Sequence, residues 1–274
     1  MGEKVRTLTQ EEERLSYVKY FHTPLAPKNM KLIEILNQGP MDPSKALMPE
    51  NINDLLNPGY LEVETGYCVL SNGAGYVAVN NVFPGCTLDM MKWWFAWHPL
   101  RPFNYTIWNR ECHHSVAITE ETRAKILNPN VPLEEKYKDV THFVVEDIGG
   151  GLEDIEIIFL RPEKLGFDMS RFKSPNVAEA FCGYGIQESR SGHGPKAPAV
   201  MLHFCRETAD GLEFRTRFWM GYKVIRGKIY KVLPPHIKVP IEAAKGLAYH
   251  NVEEYSNLAA ILPKIYAEMQ GKLE

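Results

Sequence analysis

The stretch from Pro240 to Met269 restricts the fold most, because its apolar residues recur at the spacing of one long helix. Leu247, His250, Glu254, Leu258, Ile261 and Ile265 share a face, and all but two are apolar. Pro240 takes a first-turn position where its missing N–H costs nothing, and Pro263 predicts a kink. A helix apolar along one side needs a surface to cover it, and the preceding sequence supplies strands. Tyr60–Leu70 and Gly75–Val82 flank the turn Ser71-Asn-Gly-Ala-Gly, and Ala199–Arg206 and Leu212–Tyr222 flank Ala209-Asp-Gly. Val224–Val232 continues the second hairpin.

Further strands are expected at Tyr105–Ile118, His142–Asp147 and Asp154–Arg161, the last two around Gly149-Gly-Gly. Pro175–Pro198, rich in Gly, Ser and charge, reads as a long loop or lid. Short helices are expected from Thr9, over Lys28–Leu36 and over Asn51–Leu56, separated by prolines, and again at Thr87–Trp97 and Glu120–Leu127. Strands and helices do not alternate as a doubly wound parallel sheet requires, so the fold class is α+β. Residues 1–58 form an N-terminal helical extension, and 59–274 form the main domain.

Composition removes several functions. Thirty-one Lys and Arg against 34 Asp and Glu leave a formal charge of −3 with no basic stripe, which argues against nucleic acid. The most apolar window, Met90–Leu100, is short and broken by Lys92 and His98, so no membrane span is expected. Five scattered cysteines without a C-x-x-C pair, and an N-terminus without a signal-like apolar stretch, point to a cytoplasmic protein with reduced thiols.

The polar exceptions on the last helix carry the chemistry. His250 and Glu254 lie one turn apart on the inward face, close enough to bind one cation, and an unpaired buried carboxylate is costly. A buried His–Glu hydrogen bond fits the same spacing, as does a shift of one residue that exposes both. Further metal ligands must come from strands facing the helix. His113 and His114 point to opposite faces of a strand, so only one reaches the interior. Glu146 ends the apolar run Thr141-His-Phe-Val-Val, where it either joins the site or opens a loop with Asp147. A His/Glu set favours zinc. There is no H-E-x-x-H, G-x-S-x-G or Walker loop, and Gly73-Ala-Gly-Tyr-Val-Ala enters a strand rather than a helix. Cys112 beside His113 suggests a nucleophile and base, but strand neighbours face apart.

Several segments together carry a resemblance: Asn57-Pro-Gly-Tyr-Leu-Glu-Val-Glu-Thr-Gly-Tyr-Cys-Val-Leu, Trp93-Trp-Phe-Ala-Trp-His-Pro-Leu, Tyr105-Thr-Ile-Trp, Val140-Thr-His-Phe-Val-Val-Glu-Asp-Ile-Gly-Gly, Arg217-Phe-Trp-Met-Gly-Tyr and His250-x-x-x-Glu254. With these the chain resembles the phloretin hydrolase and 2,4-diacetylphloroglucinol hydrolase family. The resemblance implies a zinc-dependent hydrolase that cleaves the carbon–carbon bond between a phloroglucinol-type ring and its acyl group. It also implies a helix-grip fold of the Bet v 1 type with an N-terminal helical extension, and a homodimer. The metal set it implies is His113 (or His114), Glu146, His250 and Glu254. Tyr105 and His203 match positions that handle the ring hydroxyls and the proton, with Glu254 as a further catalytic group. Phe218 stands where a second pocket Tyr can occur. Trp93–Trp97 either wall a ring pocket or fill the core, and Ser189–Gly194 is a candidate cover. The rival reading is a non-catalytic binding protein for aromatic ligands with a structural metal, since fold alone does not decide function.

Overall fold

The hairpins assemble into one eight-stranded antiparallel sheet in a computed structural model, which describes residues 5–148, 151–172, 177–190 and 197–274. The strands are β1 (Gly66–Val69), β2 (Gly75–Pro84), β3 (His113–Ala117), β4 (Val140–Asp147), β5 (Leu152–Leu160), β6 (Glu179–Ser189), β7 (Ala197–Thr208) and β8 (Gly211–Met220), with a separate hairpin of β9 (Tyr222–Ile225) and β10 (Lys228–Lys231). The α-helices are α1 (Lys19–His22), α2 (Met30–Leu36), α3 (Leu88–Trp97), α4 (Pro102–Thr106), α5 (Glu120–Leu127) and α6 (Ile241–Met269). The sheet order is β1-β2-β8-β7-β6-β5-β4-β3.

Alternation along the strands sorts residues between two buried faces. On β2, Val77 and Val79 pack with Ala244, Ala248 and Val252 of α6. Their neighbours Tyr76 and Ala78 face the other way, against Leu47, Ile52, Leu55 and Leu56 from the N-terminal region. Each such side chain withdrawn from water contributes about 1.5–3 kcal/mol before entropy is counted. The same alternation on β8 turns Arg215 and Arg217 to the back face, where both guanidinium groups donate to the Glu64 carboxylate.

α6 extends from Ile241 past Pro263 to Met269, and Thr87 caps α3 by accepting from the Met90 N–H at 3.3 Å. Trp93, Trp94 and Trp97 are buried core residues.

Some expected elements differ. Tyr105 belongs to α4 rather than to a strand: Pro102 opens a helical turn, Thr106 Oγ1 donates back to the Pro102 carbonyl at 3.1 Å, and β3 begins only at His113. Residues 60–65 precede β1 without pairing, with the Leu61 N–H bonded to Glu64 Oε1 at 2.7 Å. The described residues between Pro175 and Pro198 are mostly sheet. The glycines suggest a loop, but Gly183 is required by close strand approach, since a Cβ there would meet the Ile158 carbonyl oxygen at 2.0 Å. Val224–Val232 folds on itself as the β9–β10 hairpin, turning at Arg226 and Gly227, whose φ angles are 50° and 74°. The helix expected from Thr9 is a single 3-10 turn, Glu12–Arg14, and Asn51–Leu56 lies within a longer 3-10 segment, Pro49–Leu56. Gly149, Gly150 and most of the candidate cover at Ser189–Gly194 lie outside the described residues. Among the described residues no helix is long and apolar enough to cross a membrane.

Candidate active site

β3 and β4 pair with His113 opposite Glu146, and the next partners are Ser115 and Val145. Two residues of β3 therefore stand against one step of β4, a bulge that leaves His114 out of the alternation. His113 is completely buried, whereas His114 is partly exposed. From the opposite side α6 presents His250 and Glu254 on one face, as the helical spacing predicts.

These four side chains converge. His113 Nε2 lies 3.4 Å from Glu146 Oε2 and 3.5 Å from Glu254 Oε2. His250 Nε2 lies 3.7 Å from each of the same oxygens. His113, His250 and Glu254 offer ligand atoms all within 4.8 Å of one another. Glu146 stands outside that trio but faces both imidazoles. Four ligands about 2.0–2.1 Å from a central ion would be separated by about 3.4 Å, close to these spacings.

Burial disfavours the charged form of every member of the cluster. Burial, reinforced by the neighbouring Glu254, pushes the Glu146 carboxyl up to about 8, and burial pushes Glu254 up to about 7. Burial also drives His113 down to about 3 and lowers His250. Among the described residues His113 Nε2 and His250 Nδ1 have no hydrogen-bond partner. Two acids and two imidazoles, each penalised in its charged form and with buried nitrogens unpaired, fit a divalent cation of the zinc type.

The surroundings hold the cluster in place. Tyr105 OH donates to Glu146 Oε2 at 3.0 Å, and Asn251 Nδ2 donates to Glu254 Oε1 at 3.2 Å. Trp108 Nε1 donates to the Glu254 carbonyl at 3.1 Å, while Asn257 Nδ2 donates back to the Trp108 carbonyl at 2.8 Å. Tyr105, Glu146, His250 and Glu254 line a largely apolar cavity between α6 and the sheet. His203 lines it from β7, with Nδ1 2.9 Å from Thr216 Oγ1 and Nε2 3.2 Å from Tyr255 OH. Phe218 lines it too, and of the aromatic run on α3 only Phe95 does.

The sequence reading missed Tyr255, His98 and His142, all of which line the cavity. Tyr255 was detectable as part of a broader buried stripe with Asn251, Leu258 and Leu262. His142 shares the two-residue alternation of Val144 and Glu146 on β4. Cys112 does not face His113's partners: its thiol lies 3.8 Å from Glu253 Oε1, and burial pushes it up to about 12.

Residues 47–267 match the family described as "DAPG hydrolase PhiG domain", and the chain belongs to that family of hydrolases. It is 35% identical over 262 residues to phloretin hydrolase of Eubacterium ramulus, covering 94% of this chain and 92% of the relative. It is 28% identical over 263 residues to 2,4-diacetylphloroglucinol hydrolase of Pseudomonas protegens (strain DSM 19095 / LMG 27888 / CFBP 6595 / CHA0), covering 92% of this chain and 84% of the relative. The same name and identity hold for a relative from Pseudomonas sp, with 87% of that protein covered.

Proposed function

We propose that the protein is a zinc-dependent hydrolase that removes the acyl group from an acylphloroglucinol such as phloretin or an acetylphloroglucinol. The observation that carries this reading is that Glu146, His250 and Glu254, which His113 joins through the two carboxylates, open onto the same largely apolar cavity as Tyr105 and His203. Phloretin and 2,4-diacetylphloroglucinol contain no ester, amide or glycosidic bond, so hydrolysis at the acyl group must break a carbon–carbon bond. Water supplies a hydroxyl to the acyl carbon and a hydrogen to the ring carbon. The ring leaves readily only after that carbon is protonated, since an aryl carbanion is a poor leaving group.

A zinc ion held by the four residues supplies Lewis acidity, which polarises a carbonyl and lowers the pKa of water. Tyr105 and His203 orient the ring hydroxyls and carry the proton to the ring carbon. Burial keeps Tyr105 protonated, well above the usual phenol range, and keeps His203 neutral, down to about 3. Tyr105 thus keeps its proton, and His203 keeps one ring nitrogen unprotonated. Glu254 accepts the proton of the attacking water, a carboxylate being able to shift within its site. Phe218 adds a flat apolar wall and no third hydroxyl contact.

The α6 helix against an antiparallel sheet supports a helix-grip of the Bet v 1 type, with residues 1–58 as its helical extension. Five free cysteines support a reducing, cytoplasmic setting, and the family resemblance supports a homodimer. The test is to incubate the protein with phloretin and with monoacetylphloroglucinol. Phloroglucinol is expected in equal amount with 3-(4-hydroxyphenyl)propionate or acetate; binding without either product overturns the reading.

A further inference from the structure

The cavity has a second polar group of side chains away from the four-residue cluster. His98, just after α3, and His142 on β4 both line it and are 2% and 1% exposed. Their rings meet edge to face, with centroids 5.2 Å apart and planes at 78°. His98 Nδ1 lies 2.8 Å from the Trp94 carbonyl oxygen. Only a protonated nitrogen can bond that acceptor, so Nδ1 carries the hydrogen and Nε2 keeps its lone pair. His142 Nε2 is buried without a hydrogen-bond partner among the described residues. Such an atom costs free energy unless something in the cavity meets it.

His142 and Glu146 lie on the same face of β4, four residues apart, which is about 13 Å along the strand. Val144, Ile157, Phe159 and Phe95 line the cavity as well and give it apolar walls. A ligand lying along β4 in it meets Glu146 and His142 with Val144 between them. We propose that the His98–His142 pair is a specificity subsite that binds a neutral hydroxyl on the far end of the acyl arm, as in a hydroxyphenylpropanoyl group. This rests on the hydrolase reading and deepens it by naming the acyl class. From the acyl carbon to the para oxygen of such an arm is about 8 Å at ordinary bond lengths, a span that fits within the cavity with a hydrogen bond of about 3 Å to spare.

Charge favours a hydroxyl over a carboxylate here. Burial holds His98 down to about 3 and His142 well below the usual imidazole range, with the His98 ring further disfavouring a proton on His142. A neutral imidazole pair presents both a lone pair and an N–H, which suits a phenol and gives an anion no countercharge.

The experiment compares phloretin with its analogue lacking the hydroxyl on the phenylpropanoyl ring, in the wild-type protein, His142→Phe and His142→Gln. The ratio of kcat/KM for the two compounds is read alongside their dissociation constants in the metal-free protein. Wild type is expected to favour phloretin by about 3- to 10-fold in both measures, the size of one hydrogen bond. His142→Phe is expected to bring the ratio near 1, and His142→Gln to restore part of it. Equal handling of the two compounds by wild type, or an unchanged ratio in His142→Phe, overturns the subsite. If wild type cleaves neither compound yet binds phloretin more tightly, the hydrolase reading falls and the subsite stands.

Discussion

The ring of Tyr105 lies flat on that of His113, with centroids 4.2 Å apart and planes 7° from parallel. The stacking fixes the imidazole while the Tyr105 hydroxyl holds Glu146, so one aromatic residue sets two members of the cluster. Tyr105→Phe keeps the stack and removes the hydroxyl. Activity is expected to fall about 10²- to 10⁴-fold, the usual range for a lost general acid–base group, with bound metal unchanged. Measuring kcat and metal content on the same sample checks this.

The bulge in β3 separates the adjacent histidines. His113→Ala is expected to lose bound metal and activity, whereas His114→Ala retains both, because only His113 reaches the two carboxylates. Metal analysis of the two purified variants decides it; metal loss from the His114 variant alone would reverse the assignment.

Metal and protons compete for the two acids. In the metal-free protein Glu146 and Glu254 are raised to about 8 and 7, so the folded state holds more protons than the unfolded chain. Stability from this source is complete below the ordinary carboxyl pKa of 4.5 and is lost as pH rises through the folded values. Between about pH 7.5 and 8.5 an ordinary histidine is mostly neutral in the unfolded chain as well, so the carboxyls dominate there. The Tm of metal-free protein is expected to fall across that window, and the gain from added zinc to widen, in thermal melts at matched ionic strength. A gain that narrows with rising pH would contradict the burial argument.

Behind the sheet, the Glu64 carboxylate bridges two buried arginines. Glu64→Gln removes the charge and leaves Arg215 and Arg217 uncompensated, at a cost of about 3–5 kcal/mol. For a chain of this size that lowers Tm by roughly 6–20 °C. A thermal melt showing no change would mean that the arginines find other partners.

Patterns repeated over many residues were legible in the sequence. The inward face of α6 and the β2, β7 and β8 alternation follow from helical and two-residue periods, and with them the inward positions of His250 and Glu254, whereas Glu146 on β4 reads equally as the start of a loop and enters the site only through the family resemblance. Where one residue overrides a propensity, the sequence is misleading. Tyr105-Thr-Ile-Trp has β-favouring side chains, yet Pro102 and the aromatic packing around Trp108 hold it in and beside a helical turn. The glycines of β6 look like loop glycines because close strand approach leaves no local signature. The His98–His142 contact joins residues 44 positions apart and has no spacing to read. The choice between His113 and His114 depended on a bulge that alternation alone does not reveal.

The most direct test of the account is to strip the protein with a chelator, return zinc in measured steps and follow phloroglucinol released from phloretin. The account predicts no release from the stripped protein and a rate that climbs in proportion to zinc and levels off at one ion per chain. Full activity without metal would contradict it, as would a chain that holds one zinc, binds phloretin and releases nothing.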